Sequence, residues 1–332
     1  MADIVLINPA FEVSYWGLEH AMPFLGKRAV LPVANLPLLA ALTPSCHSVT
    51  LVDENVEAVD FERCAQADIV GLTGMNVQRR RMKEILHELK RRDIFTVVGG
   101  PWVTVREEDL ADLADVLFIG EAEETWPRFL AEWGERRHQT RYEQAGRTDM
   151  ATVPVPRLDL LRMKDYAFGS VQFSRGCPFE CEFCDIIVTF GRRPRIKTSA
   201  QILAELDATV AAGKHSAFIV DDNLIGNKKA IKLLLRDVVA WQEEQGYPLI
   251  LTRGVPDAGW DRRGYLSRRS GAGRPSACPR ARRGGAVPRH VEGTAARRDP
   301  ANPQCPAIAV HRCWRRLGAD PRSAVGIAGC SQ

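Results

Sequence analysis

No stretch of some 18 consecutive apolar residues occurs in the 332-residue chain, so the sequence predicts no transmembrane segment. Residues 29–42 come nearest, but Pro32 and Pro37 interrupt them. The N-terminus lacks the basic start and cleavage site of a secretory signal, and a cytoplasmic protein is expected. In a reducing compartment the nine cysteines should stay mostly free, so a tight cluster of them points to metal or redox chemistry rather than disulfides.

Other absences are confined to the last 80 residues. Residues 253–332 hold no Lys, no Phe and no Met, while Gly, Ala, Pro and Arg make up 48 of them. Their 16 Arg against five acidic residues give +11. Residues 1–252 carry 29 Lys and Arg against 36 Asp and Glu, a net of −7, and together these give the +4 of the whole chain. The basic character therefore belongs to the tail alone, so a nucleic-acid reading would rest entirely on it, and for the chain as a whole no nucleic-acid partner is expected. The tail shows neither a helical nor a strand period, and Pro and Gly punctuate it throughout. One reading is a basic disordered tail that binds nucleic acid or anionic lipid. The favoured one is an out-of-frame translation of a GC-rich gene beginning near residue 253.

Residues 1–145 alternate short apolar runs with amphipathic stretches. The runs are Ile4-Val-Leu-Ile7, Val49-Thr-Leu-Val52, Ile69-Val-Gly-Leu-Thr73, Phe95-Thr-Val-Val98 and Val116-Leu-Phe-Ile119. Met82, Ile85, Leu86 and Leu89 follow helical spacing between the third and fourth. Five buried strands with helical crossovers predict an α/β fold, a doubly wound parallel sheet of flavodoxin or Rossmann type. Such sheets take ligands beyond the carboxyl ends of their strands. Asn8, Thr73, Gly74, Met75, Asn76, Gly99, Gly100, Gly120 and Glu121 stand at those ends. The glycines allow close backbone approach to a ligand, or simply make tight strand-to-helix turns.

Residues 146–164, with Val153-Pro-Val-Pro156, read as a linker. Beyond it come strand, helix, strand, helix, strand: Val171-Gln-Phe-Ser174, a helix capped by Thr198 and Gln201, Ala217-Phe-Ile-Val220, a helix with Ile231, Leu234, Leu235 and Val238 on one face, and Pro248-Leu-Ile-Leu251. That order favours right-handed parallel units and a partial barrel over residues 165–252. The first strand runs into Gly176-Cys-Pro-Phe-Glu-Cys-Glu-Phe-Cys-Asp185, which places Cys177, Cys181 and Cys184 in Cys-x3-Cys-x2-Cys spacing. A closed zinc site wants a fourth ligand, usually from a second Cys-x2-Cys pair, and none follows in residues 185–252. A [4Fe–4S] cluster with one open iron fits three thiolates better. Cys46 and Cys64 read as small buried hydrophobes. Asp221, Asp222 and Asn223 end the second strand, where the acidic pair either meets a cationic ligand group or caps the next helix. For Arg192, Arg193 and Arg195 a solvated loop is the favoured reading over a ligand carboxylate.

Two groups of motifs resemble known families. Val5-Leu-Ile-Asn-Pro9, Val52-Asp-Glu-Asn55, Ala67-Asp-Ile-Val-Gly71, Val97-Val-Gly-Gly-Pro101 and Ile119-Gly-Glu-Ala-Glu123 resemble the cobalamin-binding domain found upstream of many radical SAM enzymes. The Asp-x-His-x-x-Gly motif that supplies a cobalt ligand in many such domains is absent; His20 and His47 are wrongly placed for it, and Asn76 and Gln78 stand near the corresponding position. The context Ser174-Arg-Gly-Cys-Pro-Phe-Glu-Cys-Glu-Phe-Cys-Asp185 is similar to the radical SAM signature, and residues 191–198 and 218–229 to the group that includes hopanoid methylases. This resemblance implies a [4Fe–4S] cluster on Cys177, Cys181 and Cys184, with S-adenosylmethionine near Asp221, Asp222 and Asn223. It also implies cobalamin over Asn8, Thr73, Gly74, Met75, Asn76, Gly99, Gly100, Gly120 and Glu121. The implied activity is cleavage of S-adenosylmethionine to a 5′-deoxyadenosyl radical and methylation of an unactivated carbon in a small-molecule or lipid substrate, with an electron donor such as flavodoxin or ferredoxin. A piece of such an enzyme that binds the cofactors without turnover is the alternative, because only about three of six strand–helix units precede residue 253.

Overall fold

The computed structural model describes residues 1–14, 17–182 and 184–253, all within one compact unit, Met1–Trp260. The tail expected beyond residue 253 lies outside the described residues. A six-stranded sheet is built from β1 (Asp3–Asn8), β2 (Ser48–Asp53), β3 (Ile69–Thr73), β4 (Thr96–Gly99), β5 (Val116–Ile119) and β6 (Arg141–Glu143). Its order is β2-β1-β3-β4-β5-β6, and every pairing is parallel. The crossovers carry α1 (Asn35–Leu42), α2 (Phe61–Ala65), α3 (Arg79–Arg91), α4 (Pro101–Val105) and α5 (Thr125–Gly134).

Successive strand residues point to opposite faces, and both faces are covered. Ile4 and Leu6 of β1, with Ile69, Val97, Val116 and Phe118, pack with Leu36 of α1 and Trp126 and Phe129 of α5. Val5 and Ile7, with Val70, Leu72, Val98 and Ile119, pack under Met82, Ile85, Leu86 and Leu89 of α3. Those four helix side chains are wholly buried, each contributing about 1.5–3 kcal/mol through removal of apolar surface from water. The sixth strand was not expected. Arg141 and Glu143 of β6 are exposed, and only Tyr142 reaches the core, so no apolar run marks it.

Tyr166 and the residues after it join this sheet to a second one. Ala167 and Phe168 donate backbone N–H bonds to the carbonyls of Ala29 and Val30, at 2.9 and 3.0 Å. A three-stranded parallel sheet follows in the order β11-β10-β7, from β7 (Gly169–Val171), β10 (Ser216–Ile219) and β11 (Ile250–Arg253). Between β7 and β10 a short antiparallel pair, β8 (Ser174–Arg175) and β9 (Arg195–Ile196), closes the base of the cysteine loop, which holds the one-turn α6 (Ile186–Thr189). Helices α7 (Ser199–Ala211) and α8 (Lys228–Glu244) pack Ile202, Leu206, Ile231, Leu234 and Val238 against the sheet. The Thr198–Gln201 capping box forms as expected, and Gly213 follows α7 at φ +77°. Among the described residues no helix is long and apolar enough to cross a membrane.

Candidate functional site

A cavity of about 230 Å³ opens where the carboxyl end of the six-stranded sheet meets the start of the second sheet. One side is the sheet end itself: Thr73, Gly99, Gly100, Gly120 and Glu121 line it, with Gly71 deeper down. Gly100 carries φ +103°, and a Cβ there would stand 2.6 Å from Thr73 Oγ1 and 3.0 Å from the Gly74 nitrogen. Glycine is therefore required at this point, and the bare backbone leaves a surface that a planar ligand can approach closely. The opposite side comes from the second part: Ser170, Gln172, Arg175, Lys197 and Glu205.

Four of the expected strand-end residues lie elsewhere. Asn8 is buried outside the cavity, donating to Asp53 Oδ1 at 2.9 Å and accepting from Gln78 Nε2 at 3.0 Å. Gln78 is itself buried, with its Oε1 accepting from the Met75 backbone N–H at 2.9 Å, so it is a structural brace for that turn. Met75 and Asn76 are exposed on the turn into α3 and do not line the cavity. Gly74 sits behind the wall, against Gly100.

Gly176, at φ +95°, makes the turn into the cysteine loop, where a Cβ would meet the Gly191 and Arg193 carbonyls at 2.9 and 3.0 Å. The Cys177 N–H donates to the Gly191 carbonyl at 3.2 Å and that of Cys184 to Cys181 at 3.1 Å. Cys177 and Cys184 are half-buried and Cys181 is exposed. Among the described residues no three His, Cys, Asp or Glu side chains are gathered into an ion-holding group. In chemistry the donor set fits a cluster: three soft thiols on one loop, the Cys177 sulfur accepting from Asn223 Nδ2 at 3.5 Å.

The end of β10 is tied to this loop. Asp221 accepts from the Phe173 N–H at 2.7 Å and from Ser174 Oγ at 2.6 Å, and Asp222 accepts from the Gly176 N–H at 2.9 Å. Burial pushes both carboxyls up from the ordinary range. Neither caps α8, whose cap is Asn227, accepting from the Ala230 N–H at 3.1 Å. Asn223 Oδ1 is buried with no partner.

Glu121 is held by the second part of the chain rather than left open to a ligand. Its Oε1 accepts from Arg175 Nη1 at 3.1 Å and Arg195 Nη2 at 2.8 Å. Its Oε2 accepts from Arg195 Nη1 at 2.9 Å and the Thr148 N–H at 2.8 Å. Burial raises this carboxyl, but Arg195, Thr148 and Arg175 more than reverse that and leave it below the ordinary range. Arg175 also pairs with Glu123. Arg195 thus departs from the solvated loop expected for it, because the buried Glu121 carboxylate from the turn after β5 lies opposite. Arg192 and Arg193 are exposed as expected, Arg192 pairing with Glu180.

Sequence reasoning missed Lys197 and Glu205, a buried ion pair on the cavity wall. Burial raises the Glu205 carboxyl despite Lys197. Their eight-residue separation spans a strand and a helix, and no spacing rule links them. Cys64 is buried as expected, with its thiol pushed up to about 11 by burial. Cys46 is exposed, in the turn between α1 and β2, instead of buried.

Residues 29–130 match the family model of the B12 binding domain. An uncharacterized methyltransferase of Synechocystis sp. is 42% identical over 248 residues, 74% of this chain and 46% of that protein. The hopanoid C-2 methylase of Rhodopseudomonas palustris is 35% identical over 254 residues, 75% of this chain and 48% of the methylase. The chain spans about half the length of these relatives. In fold it is similar to the radical S-adenosylmethionine methyltransferase TsrM of Kitasatospora setae, with a TM-score of 0.58 at 18% identity over 75% of this chain and 54% of TsrM. The cobalamin-dependent S-adenosylmethionine radical enzyme OxsB gives a TM-score of 0.58 at 18% identity, covering 76% of this chain and 38% of OxsB.

Proposed function

We propose that the described residues are the cobalamin-binding half and the cluster-binding start of a radical SAM enzyme that methylates an unactivated carbon. One observation carries this reading: the glycine-paved end of a B12-binding sheet and the base of a three-cysteine loop face the same cavity. Cys177, Cys181 and Cys184 would hold a [4Fe–4S] cluster, Asn223 would orient Cys177, and Thr73, Gly99, Gly100 and Gly120 would lie against cobalamin. When bound, the cluster supplies the electron that cleaves S-adenosylmethionine and cobalamin carries the methyl group. The chain's own part is to hold and orient these groups and to exclude water. Asp221 and Asp222 use hydrogen bonds to fix the loop, and the buried, unpartnered Asn223 Oδ1 would accept from a donor group of the ligand.

The substrate class, a small molecule or a lipid, and the electron donor, a flavodoxin or ferredoxin, belong to this proposal. So do the cytoplasmic setting and the division at residues 1–145, 146–164 and 165–252. Anaerobic reconstitution with iron, sulfide, cobalamin and S-adenosylmethionine tests it: 5′-deoxyadenosine should form on reduction, and none forming rejects turnover by this chain. A second reading is cofactor binding without turnover. Bound iron and cobalamin without deoxyadenosine would select it.

A further inference from the structure

The cysteine loop starts from Arg175 of β8 and returns to Arg195 of β9, and these two residues are direct partners across that pair. Both guanidinium groups converge on Glu121, which belongs to the first domain and follows β5. Four donors fill the two carboxylate oxygens, and Thr148 adds its carbonyl as an acceptor for Arg195 at 2.6 Å. Glu123 supplies the second negative charge, so two carboxylates balance two guanidiniums. The Glu121 side chain is only 2% exposed, so removing its charge strands buried arginines.

We propose that Glu121 is a positioning residue: by gripping Arg175 and Arg195 together it fixes both ends of the cysteine loop against the cavity-facing edge of the B12-binding sheet. The idea rests on the loop being the cluster site, but the arrangement exists before any cluster binds. Arg147 adds a strut from the same side, donating to the Thr189 and Val188 carbonyls at the far end of the loop. Hydrogen bonds to charged groups are stronger than neutral ones, and several sharing one buried carboxylate give a junction that does not slide. Loop geometry thereby becomes a property of the first domain and not of the second alone.

The chain's own cysteines report on this. Full-length, iron-free protein is alkylated with iodoacetamide, and each site is followed by peptide mass spectrometry. Cys177 and Cys184 read the loop, exposed Cys46 is the reference, and buried Cys64 reads the integrity of the first sheet. In Glu121→Gln, Cys177 and Cys184 should react about tenfold faster relative to Cys46 while Cys64 stays protected. The double variant Glu121→Gln, Arg195→Gln keeps the buried charges balanced and so guards against simple unfolding. It should show the same split. Unchanged loop rates in the double variant overturn the proposal. So does Cys64 reacting in step with the loop in both variants, since Glu121 would then hold the whole fold. No cofactor enters the measurement, so absence of deoxyadenosine formation would reject the enzymatic reading without touching this one.

Discussion

Tyr166 donates its hydroxyl to Asp53 Oδ2 at 2.8 Å, which ties the end of β2 to the segment leading into β7. Burial pushes the phenol up, with Asp53 adding to the effect, so the hydroxyl remains a donor across the working pH range. The other Asp53 oxygen accepts from Asn8 and Asn55, at 2.9 and 2.7 Å. One buried aspartate therefore gathers three segments far apart in the chain.

Tyr166→Phe removes one donor and leaves Asp53 Oδ2 buried without that partner. The expected cost is about 1–3 kcal/mol, because an unsatisfied buried acceptor loses its hydration without compensation. Urea unfolding followed by circular dichroism measures it. A variant as stable as the parent would show that water replaces the phenol.

Gly100→Ala should both destabilise the chain and block the sheet end. At φ +103° a side chain is strained, and its Cβ would press on Thr73 Oγ1 and on both the nitrogen and the carbonyl oxygen of Gly74. Backbone atoms cannot swing aside as a flexible side chain can, so a cost of about 1–3 kcal/mol is expected. Gly134→Ala, at the end of α5 with nothing within 4 Å of the added Cβ, should be neutral or slightly stabilising. Thermal melts compare the two, and absorbance titration with cobalamin should show weaker binding for Gly100→Ala alone.

Much of this was legible in the sequence because burial on both faces of a parallel sheet writes itself as apolar runs. β1, β3 and β5 are of that kind, and so is the stripe on α3. β6 was not, since an edge strand buries a single tyrosine between two charged residues. The cysteine spacing is a local signal and could be read; the partners of the loop are not local. Arg195 finds Glu121 seventy-four residues away, and Asp221 finds Ser174 forty-seven away. A charge run looks the same in a sequence whether it faces water or a distant carboxylate. Glu121 stands in the turn after β5, on the cavity wall, and its arginine partners lie too far along the chain for any local pattern to signal them.

Cys177→Ser, Cys181→Ser and Cys184→Ser should each lose most of the iron taken up on anaerobic reconstitution, because three thiolates leave no spare ligand. Cys46→Ser, exposed in the turn between α1 and β2, should retain it. Iron and sulfide assays with visible absorbance decide this, and full iron in any of the three loop variants would remove that cysteine from the ligand set. Asn223→Leu should keep the iron but change the reduction potential of the cluster, since it deletes the amide donor to the Cys177 sulfur.

Acid should undo the grip on the loop. Glu121 titrates below its ordinary value of 4.5, so the folded chain favours its charged form. A carboxyl with a depressed folded pKa adds stability that is present in full above the ordinary value and is lost as pH falls through the folded one. The groups facing it are the Arg175 and Arg195 guanidiniums, together with the Thr148 N–H and, through Arg175, Glu123. Removing one partner from a buried ion network costs about 3–5 kcal/mol. Wild type and Glu121→Gln should therefore differ by that order at neutral pH, with the difference flat down to the ordinary carboxyl value and shrinking below it. Unfolding free energies from urea titrations at a series of pH values measure the curve. A difference that grows on acidification would mean that Glu121 is protonated in the folded chain and that Glu123 alone balances the arginines.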